Sequence, residues 1–194
     1  MKLAVRRAMP QHLTPWEGPG GDRRWTTVGF LEICSPAVVE IYDYWNRKRG
    51  ERPMPRRPDI DPTEITRHLP GIQLIDVKRN PLDFIYRLVG TREVAARDHD
   101  PTGQRVAESF FGQSADDVLA NYRRVVATGS FVYDFDKFTT PSGRFVQDES
   151  LFLPLADAAG ALSQMILIYT HYQDLWGEPW GAIAAIPSGR RRKY

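Results

Sequence analysis

The sequence contains a single cysteine, Cys34, so it cannot form an intramolecular disulfide. It has no apolar run approaching the roughly 18 residues that a membrane helix needs, and its N-terminus lacks the apolar stretch of a signal peptide. The formal net charge is only +2, which does not suit a polycation built to bind nucleic acid. These absences predict a cytoplasmic protein without integral membrane contact.

The length and composition of the chain predict one domain with additions at both ends. The chain has 194 residues, of which 42% are hydrophobic, and this is enough for a sizeable core. Residues 1–34 read as a mobile arm, 35–62 as a helix followed by a proline-rich connector, and 63–174 as the domain itself. Residues 175–194 form a C-terminal tail that ends in a basic cluster.

The first predicted helix runs from Ser35 to Arg49. Ser35 suits the N-cap, Pro36 suits the first helical position, and Gly50 follows the last turn. The helix carries an apolar face that includes Tyr42 and Trp45. We expect these two side chains to form the contact between the subunits of a homodimer.

The stretch from Gly71 to Gly103 predicts a β-hairpin followed by a short helix. Residues 71–77 and 83–89 are strand-like and are separated by a turn at Asn80 and Pro81. Thr91 is the expected N-cap of the short helix, whose polar side carries Glu93 and Arg97.

The second half of the domain predicts one long helix and three strands. Ser114 is the expected N-cap of a helix that ends near residue 128, before Gly129. Strand patterns then occupy residues 131–138, 144–155 and 161–172. Separation of strands from helices in this order predicts an α+β fold with a single antiparallel sheet.

Several local patterns resemble those of a bacterial family of stand-alone PAS-like domains found mainly in alphaproteobacteria. The matching segments lie between residues 40 and 172, and the most specific pair is 86–91 with 102–103, which have the sequences YRLVGT and TG. The resemblance implies a PAS-like five-stranded antiparallel sheet with flanking helices, in addition to the N-terminal helix. It also implies a concave face that holds a small ligand or a partner, and no catalytic activity.

Strand and helix periodicity then selects candidate ligand-binding residues on the concave face. The candidates are large side chains from the second strand, the long helix and the later strands: Tyr86, Leu88, Tyr122, Tyr133, Phe135, Phe152 and Met165. The alternative is an ordinary packed core in which the hydroxyl groups bond internally.

The sequence contains no motif that identifies a cofactor or a metal site. Cys34 lies upstream of the fold and lacks the motif of a photoactive flavin domain, and the long helix has no histidine for haem. His68 and His99 lie elsewhere and leave haem open. Asp98, His99 and Asp100 are adjacent on the chain and do not converge as metal ligands would.

Other charged residues have simple interpretations. The acid pairs at 134/136 and 148/149 are interpreted as solvated strand and turn positions rather than as catalytic groups. Arg52 and Arg56 have a spacing seen in cyclic dinucleotide receptors, and the alternative is a solvated connector.

The sequence therefore predicts a non-enzymatic PAS-type sensory or regulatory module. It would act in signal transduction by binding a small ligand or a protein partner. Two alternatives remain at this stage: a small cone-shaped α+β enzyme with an acid–base pair in its cavity, and a nucleic-acid-associated protein that uses the basic segments.

Overall fold

The computed structural model describes residues 24–110, 114–139, 145–157 and 165–174. The N-terminal part consists of strand β1 (Arg24–Trp25), a 3₁₀ segment (Val28–Glu32) and helix α1 (Pro36–Arg49). Ser35 is the N-cap of α1, as predicted. Two further 3₁₀ segments, Arg57–Asp59 and Pro62–Gly71, lead into the sheet.

A hairpin and three helices follow in the order that the sequence predicted. The hairpin consists of β2 (Ile72–Arg79) and β3 (Leu82–Val89). The helices are α2 (Thr91–Arg97), α3 (Val106–Ser109) and α4 (Ala115–Thr128). Ser114 caps α4 by accepting a hydrogen bond from the backbone of Asp117, whereas the N-cap of α2 is Gly90 rather than Thr91.

The sheet is completed by β4 (Val132–Thr139), β5 (Phe145–Leu155) and β6 (Met165–Asp174). The strand order is β1-β4-β5-β6-β2-β3, and every neighbouring pair is antiparallel. The predicted α+β fold with flanking helices is confirmed. The sixth strand, β1, is an addition at the edge of β4.

Strand alternation divides the core between the two faces of the sheet. On the outer face, α1 and the 3₁₀ segments cover a cluster that includes Leu74, Leu151 and Tyr169. On the inner face, α3 and α4 pack on a second cluster that includes Ile75, Phe152 and Ile168. The predicted concave ligand site would lie on this inner face.

The expected mobile arm is wrong for its last eleven residues. Arg24 and Trp25 pair with Asp134 and Tyr133 of β4. Phe30, in the 3₁₀ segment, stacks on Tyr133 with ring centroids 4.8 Å apart. No clear sequence pattern marks this segment, because it is short and its stability comes from tertiary packing. Residues 1–23 and the predicted tail 175–194 lie outside the described residues.

Within the described part of the chain, none of the helices has the length and apolar character needed to cross a membrane.

Candidate functional site

A row of polar side chains crosses the inner face of the sheet at one end. Thr170 pairs with Ser150, Ser150 pairs with Asp134, and Asp134 pairs with Arg24, so the row spans four adjacent strands. The hydroxyl groups of Ser150 and Thr170 lie 3.1 Å apart. On one side of the row this face is apolar, with Phe152 and Ile168 in the inner cluster, and on the other side it continues into Asp148 and Tyr172. The row therefore marks the boundary of a polar end of the sheet.

Arg24 ties this row to helix α4. Its side chain is fully buried, and its Nε donates to Asp134 Oδ2 at 3.0 Å. Its Nη2 donates to the backbone oxygen and Oδ1 of Asp117, at 2.9 and 3.0 Å. A buried guanidinium of this kind needs such partners, because an unpaired buried charge is strongly destabilising.

Helix α2 places Glu93 and Arg97 on the same face, one turn apart. Glu93 is 1% exposed, and its Oε2 accepts hydrogen bonds from Tyr172 at 3.0 Å and from Gln73 at 3.1 Å. Nη2 of Arg97 lies 3.7 Å from the same oxygen. The other carboxylate oxygen of Glu93, Oε1, is buried and has no hydrogen-bond partner among the described residues.

Burial dominates the electrostatics of Glu93. Removal from water raises the pKa of its carboxyl group, and the nearby Arg97 and the Tyr172 hydroxyl offset only part of this rise. The pKa of Asp148 is raised by burial first and then by the negative charges of Glu93 and Asp134. Burial therefore favours the protonated form of both carboxyl groups, unless a positive charge lies beside them.

These groups surround a small cavity of about 60 Å³ between the sheet, α2 and α4. Asn121 lines it from α4, is 2% exposed, and donates from Nδ2 to Asp134 at 2.6 Å. Its Oδ1, like Oε1 of Glu93, is buried without a hydrogen-bond partner. The cavity is far smaller than the ~300–1,000 Å³ of most ligand sites, and its volume suits a few waters or a very small polar ligand.

Three of the predicted ligand-binding residues line this cavity: Tyr86, Tyr122 and Phe152. The ring of Tyr122 contacts Phe152 at a centroid distance of 5.4 Å, and the guanidinium of Arg97 lies 5.1 Å from the centroid of Tyr86. Burial raises the pKa of both tyrosine hydroxyl groups. These residues form the apolar side of the cavity, and ligand binding by them remains a prediction.

The placement of Leu88 on the concave face is wrong. Leu88 is 45% exposed, because the pairing of β2 with β3 shifts register between Leu74 and Ile75. This bulge reverses the alternation, so that Val89, rather than Leu88, packs against the inner cluster with Tyr86.

The other three predicted ligand-binding residues lie on the opposite face. Tyr133, Phe135 and Met165 pack in or against the outer cluster. Their large size suggested the concave face, but the inward positions of β4 at this level are Asp134 and Asp136. Strand alternation assigns side chains to two faces, but the sequence alone does not say which face helices α3 and α4 cover.

The interpretation of the acid pairs as solvated positions is also wrong. Asp134, Asp136 and Asp148 line the cavity, and the backbone N–H of Ser35 donates a bifurcated hydrogen bond to both carboxylate oxygens of Glu149. Strands β4 and β5 are central here, so both of their faces are covered.

Tyr42 and Trp45 do not face outward as the predicted dimer contact requires. They are 7% and 4% exposed, and Trp45 Nε1 donates to the backbone oxygen of Pro154 at 3.0 Å. The apolar face of α1 packs on the sheet of its own chain, so these side chains are not available to a second copy.

Sequence reasoning missed the polar half of the site. The missed residues are Arg24, Gln73, Glu93, Arg97, Asn121, Thr170 and Tyr172. One available signal was the alternation Ile168, Thr170, Tyr172 along β6, which continues the apolar inner face into polar residues. The spacing of Glu93 and Arg97 was visible, but it is equally typical of an exposed helix face.

The remaining candidate groups lie outside the cavity. His68 bonds through Nδ1 to the Tyr169 hydroxyl on the outer side, and His99 is exposed. Burial raises the pKa of Cys34 to about 12, so its thiol stays protonated. Among the described residues, no three or more histidine, cysteine or acidic side chains are grouped so as to hold a metal.

The arginine spacing in the connector has a structural explanation. Arg52 donates to the backbone oxygens of Arg49 and Lys48, at 3.0 and 2.7 Å, and so caps the C-terminus of α1. It also pairs with Asp59 at 2.8 Å. These contacts support the connector interpretation over a phosphate site.

The sequence of residues 33–169 matches the family model described as PAS domain. The chain belongs to the PAS domain family. The match covers α1, the hairpin, the three inner helices and most of the sheet. A comparison with curated proteins finds no match.

Solved structures with a similar backbone include both light receptors and a PAS domain. An RNA-binding light-oxygen-voltage receptor is 15% identical over 59% of this chain, with a TM-score of 0.40, and the match spans 33% of that receptor. A light-oxygen-voltage domain studied with a flavin analogue is 9% identical over 58% of this chain and 84% of its own, with a TM-score of 0.45. A PAS domain from Colwellia psychrerythraea is 9% identical over 58% of this chain and 95% of its own, with a TM-score of 0.34. At these values the likenesses carry no argument about function.

Proposed function

We propose that the protein is a non-enzymatic, cytoplasmic PAS-type sensory module whose inner cavity binds a small ligand that donates hydrogen bonds. The observation that carries this proposal is the unpartnered Oε1 of Glu93, buried inside the cavity. A buried acceptor without a donor costs free energy, and a ligand that supplies the donor recovers it. The module then acts on a protein partner or on a second copy of itself.

The chemical class of the ligand follows from the acceptors. Oδ1 of Asn121 is a second buried oxygen without a donor, and Asp148 accepts its one described hydrogen bond from the Ser150 hydroxyl at 3.0 Å. Burial disfavours the ionised form of both Glu93 and Asp148, as their raised pKa values show, and a cation beside them would offset that cost. A small ammonium group meets both demands, because it is charged and has only donors.

The route from the cavity to the surface runs through the sheet. Gln73 donates to Glu93 and lies 3.4 Å from the hydroxyl oxygen of Thr170, so it joins α2 to β2 and β6. The other faces of β5 and β6 contact α1. A ligand that draws Glu93 away from Gln73 therefore changes the support of the outer helix, where a partner has access.

A binding experiment tests the proposal with methylammonium chloride as the probe. We expect the melting temperature of the wild type to rise with methylammonium relative to sodium chloride at equal ionic strength, because a ligand of the native state stabilises it. The Glu93→Gln variant keeps the shape of the side chain but loses its charge, and should show no such rise. No rise in the wild type would mean that the cavity does not take up the probe, and equal rises in both proteins would mean that the probe acts elsewhere. Either result would overturn the proposal.

An acid–base enzyme is the second candidate, because the carboxyl groups of Glu93 and Asp148 face one cavity and have raised pKa values. General acids commonly have such pKa values. The volume of about 60 Å³ argues for the sensory module, since it leaves no room for an organic substrate beside the two carboxyl groups.

A further inference from the structure

A second concave site lies on the outer side of the sheet, away from the inner cavity. It is an open groove of about 420 Å³ between the start of α1, the 3₁₀ segment Pro62–Gly71 and strand β6. The groove is within the size range of small-molecule sites, which is roughly 300–1,000 Å³. Its polar lining consists of Ser35, Glu40, Arg67, His68, Arg92, Tyr169 and His171.

Arg92 supplies the main unused donor in this groove. Its Nη1 is buried and has no hydrogen-bond partner, and no carboxylate of the described residues forms an ion pair with it. A Cβ placed on Gly71 would lie 3.1 Å from Nη1 of Arg92 and 3.2 Å from Cε2 of Tyr169, so the two side chains meet above Gly71. The guanidinium is thus held in place by packing and by a hydrogen bond to the Tyr169 hydroxyl rather than by an acid, and Nη1 is the nitrogen left without an acceptor.

Ser35 supplies a second unused group at the same groove. It is the N-cap of α1, but its side chain makes no capping hydrogen bond, and its Oγ is buried without a partner. A buried hydroxyl in this state carries the same desolvation cost as the arginine donor. Both unpartnered groups of this groove can donate a hydrogen bond, whereas the unpartnered atoms described for the inner cavity are acceptors.

The acids near the groove already have partners. Oε2 of Glu40 lies 2.5 Å from Arg67 Nη2 and 2.9 Å from His68 Nε2. The carboxylate of Glu149 faces the backbone nitrogen of Ser35, at 3.1 and 3.2 Å. Within the described part of the chain, Arg67 thus has an ion-pair partner in this groove, whereas Arg92 has none.

We propose that this groove binds a small carboxylate ligand, which Arg92 holds by its guanidinium and Ser35 by its hydroxyl group. The planar fork of arginine matches a carboxylate in two parallel hydrogen bonds. The hydroxyl of Tyr169 and the ring of His171 lie beside the same space. This site is independent of the ligand proposed for the inner cavity.

The test is a calorimetric titration of the full chain with succinate, with sodium chloride held at equal ionic strength. We expect saturable binding to the wild type and a weakening of about tenfold in Arg92→Gln, as loss of a charge-assisted hydrogen bond implies. Arg87→Gln is the matched control, because that guanidinium pairs with Asp76 at 3.4 Å on the exposed hairpin. It should bind succinate as the wild type does.

One further variant makes the result specific. Ser35→Ala removes the unpartnered hydroxyl without breaking a capping bond, so it should fold normally and bind succinate more weakly. Absence of saturable binding to the wild type, or equal affinity of the wild type and both groove variants, would overturn the proposal.

Discussion

At the scale of single residues, the inner cavity depends on buried ionisable groups that are only partly satisfied. Glu93 has hydrogen-bond donors at one carboxylate oxygen and none at the other. Native proteins rarely bury such an atom without a reason, and functional sites are a common one. Single substitutions at these buried groups therefore test the role of the cavity.

Replacement of Glu93 by glutamine should alter how stability depends on pH. The folded-state pKa of Glu93 is raised above its ordinary value of 4.5, so ionisation opposes folding. This penalty is absent well below the unfolded-state pKa and grows as pH rises toward the folded-state pKa. We therefore expect Glu93→Gln to gain free energy of unfolding relative to the wild type as pH rises from about 4 to about 8.

Urea denaturation of both proteins across this pH range measures the difference directly. A wild type that gains stability over the glutamine variant as pH rises would mean that Glu93 is ionised and well paired. Asp148 does not change between the two proteins, so its own raised pKa contributes mainly to the common background.

Gly71→Ala should destabilise the fold through steric contact alone. The new Cβ would lie 2.5 Å from the backbone oxygen of Thr170, which cannot move without shifting β6. Overpacking of this kind typically costs about 1–3 kcal/mol in free energy of unfolding. Thermal and urea unfolding measure the cost, and a neutral substitution would show that the 3₁₀ segment packs less closely on β6 than the structure has it.

At the scale of elements, the two N-cap serines differ in what their side chains contribute to helix stability. Ser114 Oγ accepts from the Asp117 nitrogen at 3.1 Å, whereas Ser35 makes no such bond although it occupies the same position on α1. Both were predicted as N-caps from the same residue type. The difference arises because the start of α1 is instead held by the carboxylate of Glu149.

Ser114→Ala should cost about 1 kcal/mol in free energy of unfolding, the usual value for loss of an N-cap side chain. Ser35→Ala is the matched control and should cost clearly less. Denaturation curves of the two single variants provide the comparison. Equal losses would mean that the geometry of the two caps does not determine their contribution.

Helix α1 should behave as part of the core rather than as a detachable interface. Trp45 is buried against the sheet and bonded to Pro154, so Trp45→Ala should cost about 3–5 kcal/mol, as is typical of large core truncations. Leu88→Ala, at an exposed position of β3, should change stability by no more than about 0.5 kcal/mol. A small effect at Trp45, measured by urea denaturation, would contradict the packing of α1 described here.

At the scale of the whole molecule, the sequence was sufficient for the order of the helices and strands from α1 onward, but not for β1. Caps at Ser35 and Ser114, the turn at Asn80 and Pro81, and the strand patterns all mark boundaries through local chemistry. Local signals of this kind survive in the folded state because each acts within a few residues.

The sequence was not sufficient for the site, and the reasons are physical. One register shift in the hairpin exchanged Leu88 for Val89 on the inner face, and no residue pattern marks that shift. The acids at 134 and 148 resemble surface residues until Arg24, Ser150 and the helices are placed around them. Contacts between residues far apart in the sequence therefore determine where the inner face is polar.

If the inner cavity takes a small ligand that donates hydrogen bonds, methylammonium should bind there, and an amide-resolved NMR titration locates its binding site residue by residue. We expect saturable shifts concentrated around Glu93, Asn121 and Asp148, together with their loss in Glu93→Gln. Shifts spread over the acidic surface, or saturable shifts that persist in the variant, would overturn the proposed site.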